Sequence, residues 1–191
     1  TILAAMLGSM GAVGLYRMKI KGKSALDSLF YLPIIIPEVV MGISLLSLFS
    51  FFHLEPGILT LILSHATFCM SYVMIIVSAR LKQMDPHLEE AARDLGAGSL
   101  QTLLYIMLPG ILPAVVAGSL LAFSLSFDDV LVSYFVSGPG YTPLPVKIYS
   151  LMRTGVTPEI NALSTIMILF SALITLTAEF IRIRSEIHKE F

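Results

Sequence analysis

Residues 89–110 read EEAARDLGAGSLQTLLYIMLPG and lie immediately before an apolar run. The sequence around them predicts a short helix. Asp85 is placed to cap this helix, and Pro86 would occupy its first position, where a missing N–H costs nothing. Gly96 and Gly98 would end it, because glycine readily adopts the backbone conformation that follows a helix. The stretch therefore predicts a short, polar helix between two apolar segments.

A second short helix is expected to follow the glycines. Ser99 is placed to cap it, and Pro109 is expected to mark its end. The two helices together would form a loop over residues 85–109. An ordinary connection between apolar segments would serve the chain equally well, so the spacing of particular residues within the loop must decide between the two interpretations.

The composition assigns the chain to the membrane. Its 191 residues are 56% hydrophobic and only 13% charged, with a mean hydropathy of +0.87. A soluble domain carries roughly 25% charged residues. The net charge of −1 provides no basic surface, so nucleic acid is excluded as a partner and membrane lipid is expected instead.

Five apolar runs are interpreted as membrane-spanning helices. A helix of about 20 residues crosses a hydrocarbon core of roughly 30 Å and satisfies its own backbone groups. The runs are Ile2–Tyr16, Leu29–Phe52, Gly57–Ala79, Gly110–Phe127 and Ala162–Ile181, and the second is interrupted by Pro33 and Pro37. A sixth span is expected before Thr1, because a chain that starts in the cytoplasm needs one more crossing. The fold class is therefore an all-α integral membrane protein.

The distribution of Lys and Arg predicts the orientation. Basic residues follow the first, third and fifth runs: Arg17, Lys19, Lys21, Lys23, Arg80, Lys82, Arg93, Arg182, Arg184 and Lys189. The connection over residues 128–161 holds only Lys147 and Arg153, and its glycines and prolines predict short elements. The positive-inside rule then places the 80–108 loop and the C-terminus in the cytoplasm, and Thr1 outside.

The spacing of the loop residues is similar to the EAA loop of ABC importer permeases. Glu90-Ala91-Ala92 is followed after three residues by Gly96, after nine more by Ile106, and then by Leu108-Pro109. The resemblance implies a type I ABC importer transmembrane domain over residues 1–191, with a cytoplasmic coupling loop at 85–109. In that family this loop docks into a cleft of the ATPase. The implied ATPase-docking residues are Glu90, Ala91, Ala92 and Gly96.

Other segments resemble the spermidine/putrescine permeases, which pair with a second, similar permease. They include residues 37–41, 125–130 and 147–150. The resemblance implies an ABC ATPase dimer, a second homologous permease and an extracytoplasmic substrate-binding protein as partners, in the bacterial inner membrane. It also implies alternating access driven by ATP. Permeases for iron, sulfate, molybdate and thiamine share the same fold, so the substrate is not fixed by the fold.

No catalytic residue, metal site or cofactor of the chain's own is expected, and the chain is predicted to be no enzyme. Gly22-Lys23-Ser24 suggests a phosphate-binding loop, but Arg17 stands where that motif needs its first glycine. ATP and Mg²⁺ would therefore be bound by the partner ATPase. The four histidines have no metal-ligand spacing: His53, His65, His87 and His188.

Three carboxylates in or at the ends of the apolar runs are candidate substrate-pathway residues: Glu38, Asp128 and Asp129. A charge within a bilayer is costly and points to function, and no Lys or Arg lies within these runs. Such acids suit a polyamine substrate, and Tyr134 and Phe135 could add cation–π contacts. The structural alternative makes Glu38 a helix cap and the aspartates part of an interfacial turn.

Alternatives to a polyamine importer remain open from the sequence. An ABC permease for another small solute, such as ferric ion or an oxyanion, would share the fold, although an oxyanion fits poorly beside three carboxylates. A secondary transporter or channel would need no ATPase, and the loop at 85–109 would then have no purpose. A membrane-embedded enzyme would need a catalytic set, which the sequence does not present.

Overall fold

The computed structural model describes residues 1–18, 21–153 and 155–187, with the side chains of Ala178 and of residues 181–187 excepted. Lys19, His188 and Lys189, on which the expected orientation and the absence of metal spacing partly depend, lie outside these residues, as do the side chains of Arg182 and Arg184.

Every regular element in the described part of the chain is helical, which confirms the all-α prediction. The elements in chain order are α1 (Ile2–Arg17), α2 (Lys23–Ile35), α3 (Glu38–Phe51), α4 (Ile58–Gln83), α5 (His87–Asp94), α6 (Ser99–Thr102), a π-helical segment (Leu103–Met107), α7 (Leu108–Asp128), α8 (Leu131–Val136), α9 (Leu144–Met152) and α10 (Pro158–Ile187).

In the described part of the chain, three helices are long and apolar enough to cross a membrane. They are Ile58–Gln83, the continuous stretch Ser99–Asp128, and Pro158–Thr177 within α10. They correspond to the third, fourth and fifth apolar runs of the sequence. The first run forms α1, whose 16 residues span only about 24 Å at the rise of an α-helix. Length and composition thus support three spans, or four when the bent pair α2–α3 counts as one.

Two helices occupy the single span predicted over Leu29–Phe52, which is therefore either a broken span or a re-entrant pair of helices. Helices α2 and α3 meet at an angle of 108°. The break falls at Ile36, whose extended backbone (φ −71°, ψ 130°) is the conformation that a following proline imposes. Pro37 then precedes the first residue of α3 and supplies no N–H to α2. The bend places Glu38, at the start of α3, in the wall of a cavity.

Close packing of α4 against α1 and α7 forms the centre of the fold. A Cβ added to Gly8 of α1 would lie 2.6 Å from the carbonyl oxygen of Met70, and one added to Gly118 of α7 would lie 3.3 Å from the Cα of Val73. Small residues let membrane helices approach this closely. In lipid the hydrophobic effect does not drive helices together, so the van der Waals contacts made at such short distances stabilise the pair instead. The chain thus folds around α4, with Val73 buried between both neighbours.

Helices α4 and α7 run antiparallel in a defined register. The Cys69 thiol donates to the carbonyl oxygen of Ala122 at 3.4 Å, and the Arg80 Nε–H donates to that of Gly110 at 2.8 Å. Helix α10 packs on the other side of α7, where the hydroxyls of Ser124 and Thr175 are 3.1 Å apart. The stretch Pro158–Thr177 of α10 is mostly exposed, as a helix facing lipid or another subunit would be.

The proline- and glycine-rich connection forms two short helices, as predicted. Helix α8 packs against α3, where the ring of Phe135 lies 2.7 Å from the position that a Cβ on Gly42 would take. A glycine at position 42 is what permits this approach. Helix α9 contacts α8 and α10. The contact between α8 and α3 ties the connection to the helix that begins at Glu38.

Candidate functional site

A cavity of about 330 Å³ lies between the α2–α3 bend, the middle of α4 and the junction of α7 with α8. Its wall includes the three carboxylates that the sequence singled out, Glu38, Asp128 and Asp129. The rest of the lining is mostly apolar: Pro33, Ile34, Ile36, Met41, Phe68, Tyr72, Leu125, Val130, Leu131 and Val132. Residues about 90 positions apart in the chain therefore share one space.

Glu38 reaches the cavity because of the bend. It is the first residue of α3, and its side chain is exposed in the isolated chain. No Lys, Arg or His side chain in the described residues lies within ion-pair distance of it. The N-terminal end of α3 offers some favourable field, as the helix-cap alternative holds. No hydrogen bond from the described backbone reaches the carboxylate, so this cap is electrostatic only.

The neighbouring aspartates have different surroundings. Asp129 is 9% exposed, and its carboxylate accepts the backbone N–H of Ser133 at 2.7 Å and that of Val132 at 3.3 Å. Its Oδ2 also lies 3.5 Å from Nε2 of His65. Asp129 thus fits the alternative of an interfacial turn, because it caps α8. Asp128 is exposed and makes no ion pair with any described residue, so it presents a free charge to the cavity.

The aromatic walls differ from the expected ones. Tyr134 and Phe135 do not line the cavity; Phe135 packs on α3, and the exposed Tyr134 lies edge-on to Phe135 and Tyr149. The aromatic residues in the lining are Phe68 and Tyr72 of α4. Their spacing of four residues puts them on the same face of a helix, which is the signal that sequence reasoning could have used.

The coupling loop contains the predicted first helix, α5. Asp85 Oδ1 accepts the N–H of His87 at 2.9 Å, which confirms the predicted cap. The helix ends at Asp94, and Gly96 follows the capping residue with a left-handed backbone of φ +85°. Ala97 N–H donates to the Ala92 carbonyl and Gly96 N–H to that of Arg93, both at 2.9 Å. This pair of bonds is a Schellman motif, and glycine is the residue that it favours.

The second helix of the loop differs from the prediction in two respects. Its cap is not Ser99: the backbone N–H of Gly98 donates to Oε1 of Gln101 at 2.8 Å. It also does not end at Pro109, because α6 continues through the π-helical segment into α7. Pro109 is tolerated because the wider π turn before it changes the hydrogen-bond register there. The second helix of the loop and the membrane span are therefore one continuous helix, Ser99–Asp128.

The predicted docking residues are largely uncovered by the rest of the chain. Glu90 is 71% exposed and pairs only with His87 of its own helix, 3.1 Å away. Ala91 and Gly96 are exposed, and Ala92 is half-buried. Apolar side chains surround them and are also exposed: Leu88, Leu95 and Leu100. Such a surface has no partner within the described part of this chain.

Arg17, at the end of α1, holds the coupling loop. Its guanidinium donates to the Ser99 carbonyl oxygen through both Nη1 and Nη2 at 3.4 Å, and lies 3.1 Å from Sδ of Met107. It also approaches Oε2 of Glu89 at 4.0 Å, and Glu89 pairs with Arg93 at 3.7 Å. The sequence counted Arg17 only as an orientation charge. In the fold it connects α1 with both helices of the loop.

The match of the sequence to a protein family covers most of the chain. Residues 4–183 match the family described as binding-protein-dependent transport system inner membrane component. The chain belongs to this permease family. The predicted resemblance to ABC importer permeases is thereby confirmed, and the chain is a transport subunit rather than an enzyme.

Curated relatives of the permease include polyamine transport proteins. The spermidine/putrescine transport system permease protein PotC of Haemophilus influenzae is 45% identical over 179 residues, which cover 94% of this chain and 70% of the relative. PotC of Escherichia coli K12 is 44% identical, covering 93% and 67%. The putrescine transport system permease protein PotI of the same strain is 42% identical, covering 96% and 68%.

Solved structures agree on the fold. A structure of the inward-facing MetNI methionine ABC transporter superposes with a TM-score of 0.73 at 19% identity, over 96% of this chain and 88% of the other. A chain from an amino acid ABC transporter with histidines gives 0.64 at 20% identity, over 96% and 87%. At these identities the likeness concerns the permease fold alone.

Proposed function

We propose that this permease imports polyamines, and that the cavity between Glu38 and Asp128 lies on the substrate route. One observation carries the proposal: two carboxylates without a cationic partner among the described residues share a single cavity. The relatives named for spermidine and putrescine transport support it.

The chemistry of the cavity suits a flexible polycation. An unpaired carboxylate in a bilayer is costly, and a passing ammonium group relieves that cost while the carboxylate replaces the lost hydration of the ammonium. Two carboxylates on different helices can meet two ammonium groups of one substrate. The faces of Phe68 and Tyr72 add cation–π contacts, worth about 0.5–2 kcal/mol each. An oxyanion would gain nothing from this lining.

The coupling loop is proposed to dock an ABC ATPase dimer through Glu90, Ala91, Ala92 and Gly96, on the cytoplasmic side of the bacterial inner membrane. A second homologous permease and an extracytoplasmic substrate-binding protein complete the complex. ATP and Mg²⁺ are bound by the ATPase and not by this chain. Closure of the ATPase dimer moves the loops, and alternating access follows. The continuous helix from Ser99 to Asp128 supports this scheme, because it joins the loop to the cavity.

Uptake by the reconstituted complex tests the substrate. The permease, its partner permease, the ATPase and the binding protein are placed in proteoliposomes and offered radiolabelled spermidine, putrescine, ferric ion and sulfate. We expect ATP-dependent uptake of a polyamine only. Uptake of ferric ion or sulfate without polyamine uptake would overturn the substrate, and full uptake without the ATPase would overturn the importer class.

Crosslinking tests the docking surface. In a Cys69→Ser background, Ala91→Cys is treated with a short thiol–amine crosslinker in the assembled complex, and a covalent adduct with the ATPase is expected. Leu173→Cys is the matched control, because Leu173 is exposed on α10, outside the loop. Equal adduct yields from both positions, or none from Ala91→Cys, would contradict the docking assignment.

A further inference from the structure

A partly buried polar cluster between α4, α7 and α8 lies beside the cavity. His65 of α4 is its centre, with Nδ1 2.7 Å from Oγ of Ser126 on α7 and Nε2 2.9 Å from Oγ of Ser133 on α8. Asp129, between α7 and α8, completes it at 3.5 Å from Nε2. The proposed transport cycle gives this cluster no role.

The hydrogen bonds of the cluster are mutually consistent. A neutral His65 with its proton on Nε2 donates to Ser133 Oγ beside the Asp129 carboxylate, while the Ser126 hydroxyl donates to Nδ1. Asp129 accepts two further backbone N–H groups from the first turn of α8. A polar network of mutually consistent hydrogen bonds favours one arrangement of the elements it joins.

That arrangement fixes the backbone of Asp128 on both sides. Ser126 precedes it by two residues and Asp129 follows it directly, and both are held by the cluster. The position from which the Asp128 carboxylate enters the cavity is therefore set by the bonds of His65.

The same cluster also reaches Glu38 through α8. Phe135 and Val132 of α8 lie against Gly42 of α3, at 2.7 Å and 3.4 Å from the Cβ position of that glycine. Gly42 follows Glu38 by one helical turn and lies on the same face of α3. His65 thus holds the helix that packs against α3, and α3 carries the second carboxylate.

We propose that His65 is a positioning residue that sets the separation of the Glu38 and Asp128 carboxylates, and thereby the permease's preference among polyamines of different chain length. The inference rests on the proposed function. A substrate with two ammonium groups can meet both carboxylates only when its chain length matches their separation. Loosening the cluster should therefore change selectivity, whereas a general structural weakness would lower the uptake of all polyamines alike.

Competition uptake in proteoliposomes tests this, with putrescine, cadaverine and spermidine as probes. In His65→Ala we expect the ratio of cadaverine to putrescine uptake to change by about 3- to 10-fold, the scale of one or two lost hydrogen bonds. His65→Gln should recover part of the wild-type ratio, because an amide can still bond one serine. Thr67→Ala is the control, because its hydroxyl donates to the Leu63 carbonyl oxygen of the same helix and to no other described residue.

The outcomes separate the possibilities. Ratios equal to wild type in both His65 variants, whether or not total uptake falls, would overturn the positioning role. Should His65→Ala fail to assemble, the same ratio is measured in Ser133→Ala and His65→Gln, and unchanged ratios in those two variants would likewise overturn that role. A wild-type complex that takes up no polyamine at all would instead refute the proposed function.

Discussion

Gly96, just after the end of α5, has a backbone conformation that residues other than glycine adopt only at an energetic cost. Replacing it therefore tests how the structure of the coupling loop is stabilised. Its φ is +85°, and a Cβ added there would meet no atom within 4 Å. In Gly96→Ala the cost therefore comes from backbone strain alone, about 1–2 kcal/mol. Because α5 has only eight residues, such a penalty is large beside the stability that a helix of this length has by itself.

The expected consequence is weaker binding of the ATPase. A penalty of about 1 kcal/mol lowers the ratio of ordered to disordered loop roughly fivefold. Titration of the ATPase onto permease complexes in nanodiscs should show a comparable loss of affinity for Gly96→Ala. Gly98→Ala is the matched control, because Gly98 has a negative φ of −71° and room for a Cβ, and it should bind like wild type.

Asparagine at the same position separates strain from size. Asn enters the left-handed region more readily than Ala, so the conformational account ranks the affinities Gly above Asn above Ala. A requirement for a small residue against the ATPase would rank Ala above Asn. Measured affinities in that second order would refute the reasoning from φ. Gly96→Arg adds bulk to strain, and we expect it to block assembly or to uncouple hydrolysis from transport.

Three further outcomes are expected. Gly8→Ala should lower the free energy of unfolding of the detergent-solubilised complex by about 1–3 kcal/mol, because its Cβ meets the Met70 carbonyl. Gly14→Ala is the control, because open space surrounds Gly14, and equal melting temperatures of the two variants would contradict the packing argument. Arg17→Gln should raise the ATP hydrolysed per polyamine imported and Arg17→Lys should do so less, so unchanged coupling in Arg17→Gln would show that the bridge to Ser99 is dispensable. The chain purified without its partners should neither bind nor hydrolyse ATP, and activity in a preparation free of other subunits would refute this.

The long helices were predictable because the length of an apolar run is sufficient to identify a membrane-spanning helix. Helices α4 and α10 and the helix through α7 correspond to apolar runs that are long enough to span a bilayer. The interruption of the second run was predicted from Pro33 and Pro37, but the sharpness of the bend between α2 and α3 was not, because a proline within an apolar run permits either a kinked span or a sharp break. The choice depends on what the start of α3 packs against, and sequence does not show this.

The candidate site was predictable in its residues but not in its geometry. Carboxylates in apolar runs pointed to Glu38 and Asp128, and the fold brings them to one cavity. Asp128 and Asp129 are indistinguishable as neighbours in sequence, yet only Asp129 meets His65 and the start of α8. That difference depends on a contact with a residue more than 60 positions away, which no local pattern records. Arg17 was missed in its bridging role for the same reason.

The central claim is that the Glu38 and Asp128 carboxylates meet the ammonium groups of the substrate. The direct measurement is the initial rate of ATP-driven spermidine uptake by the double variant Glu38→Gln/Asp128→Asn, at matched complex content. The control is Asp27→Asn/Glu55→Gln, which removes the same charge outside the cavity. Loss of charge-assisted contacts worth about 1.5–3 kcal/mol each predicts uptake at least about tenfold below wild type at low spermidine, with a normal control. Wild-type uptake by the Glu38/Asp128 variant would contradict the account.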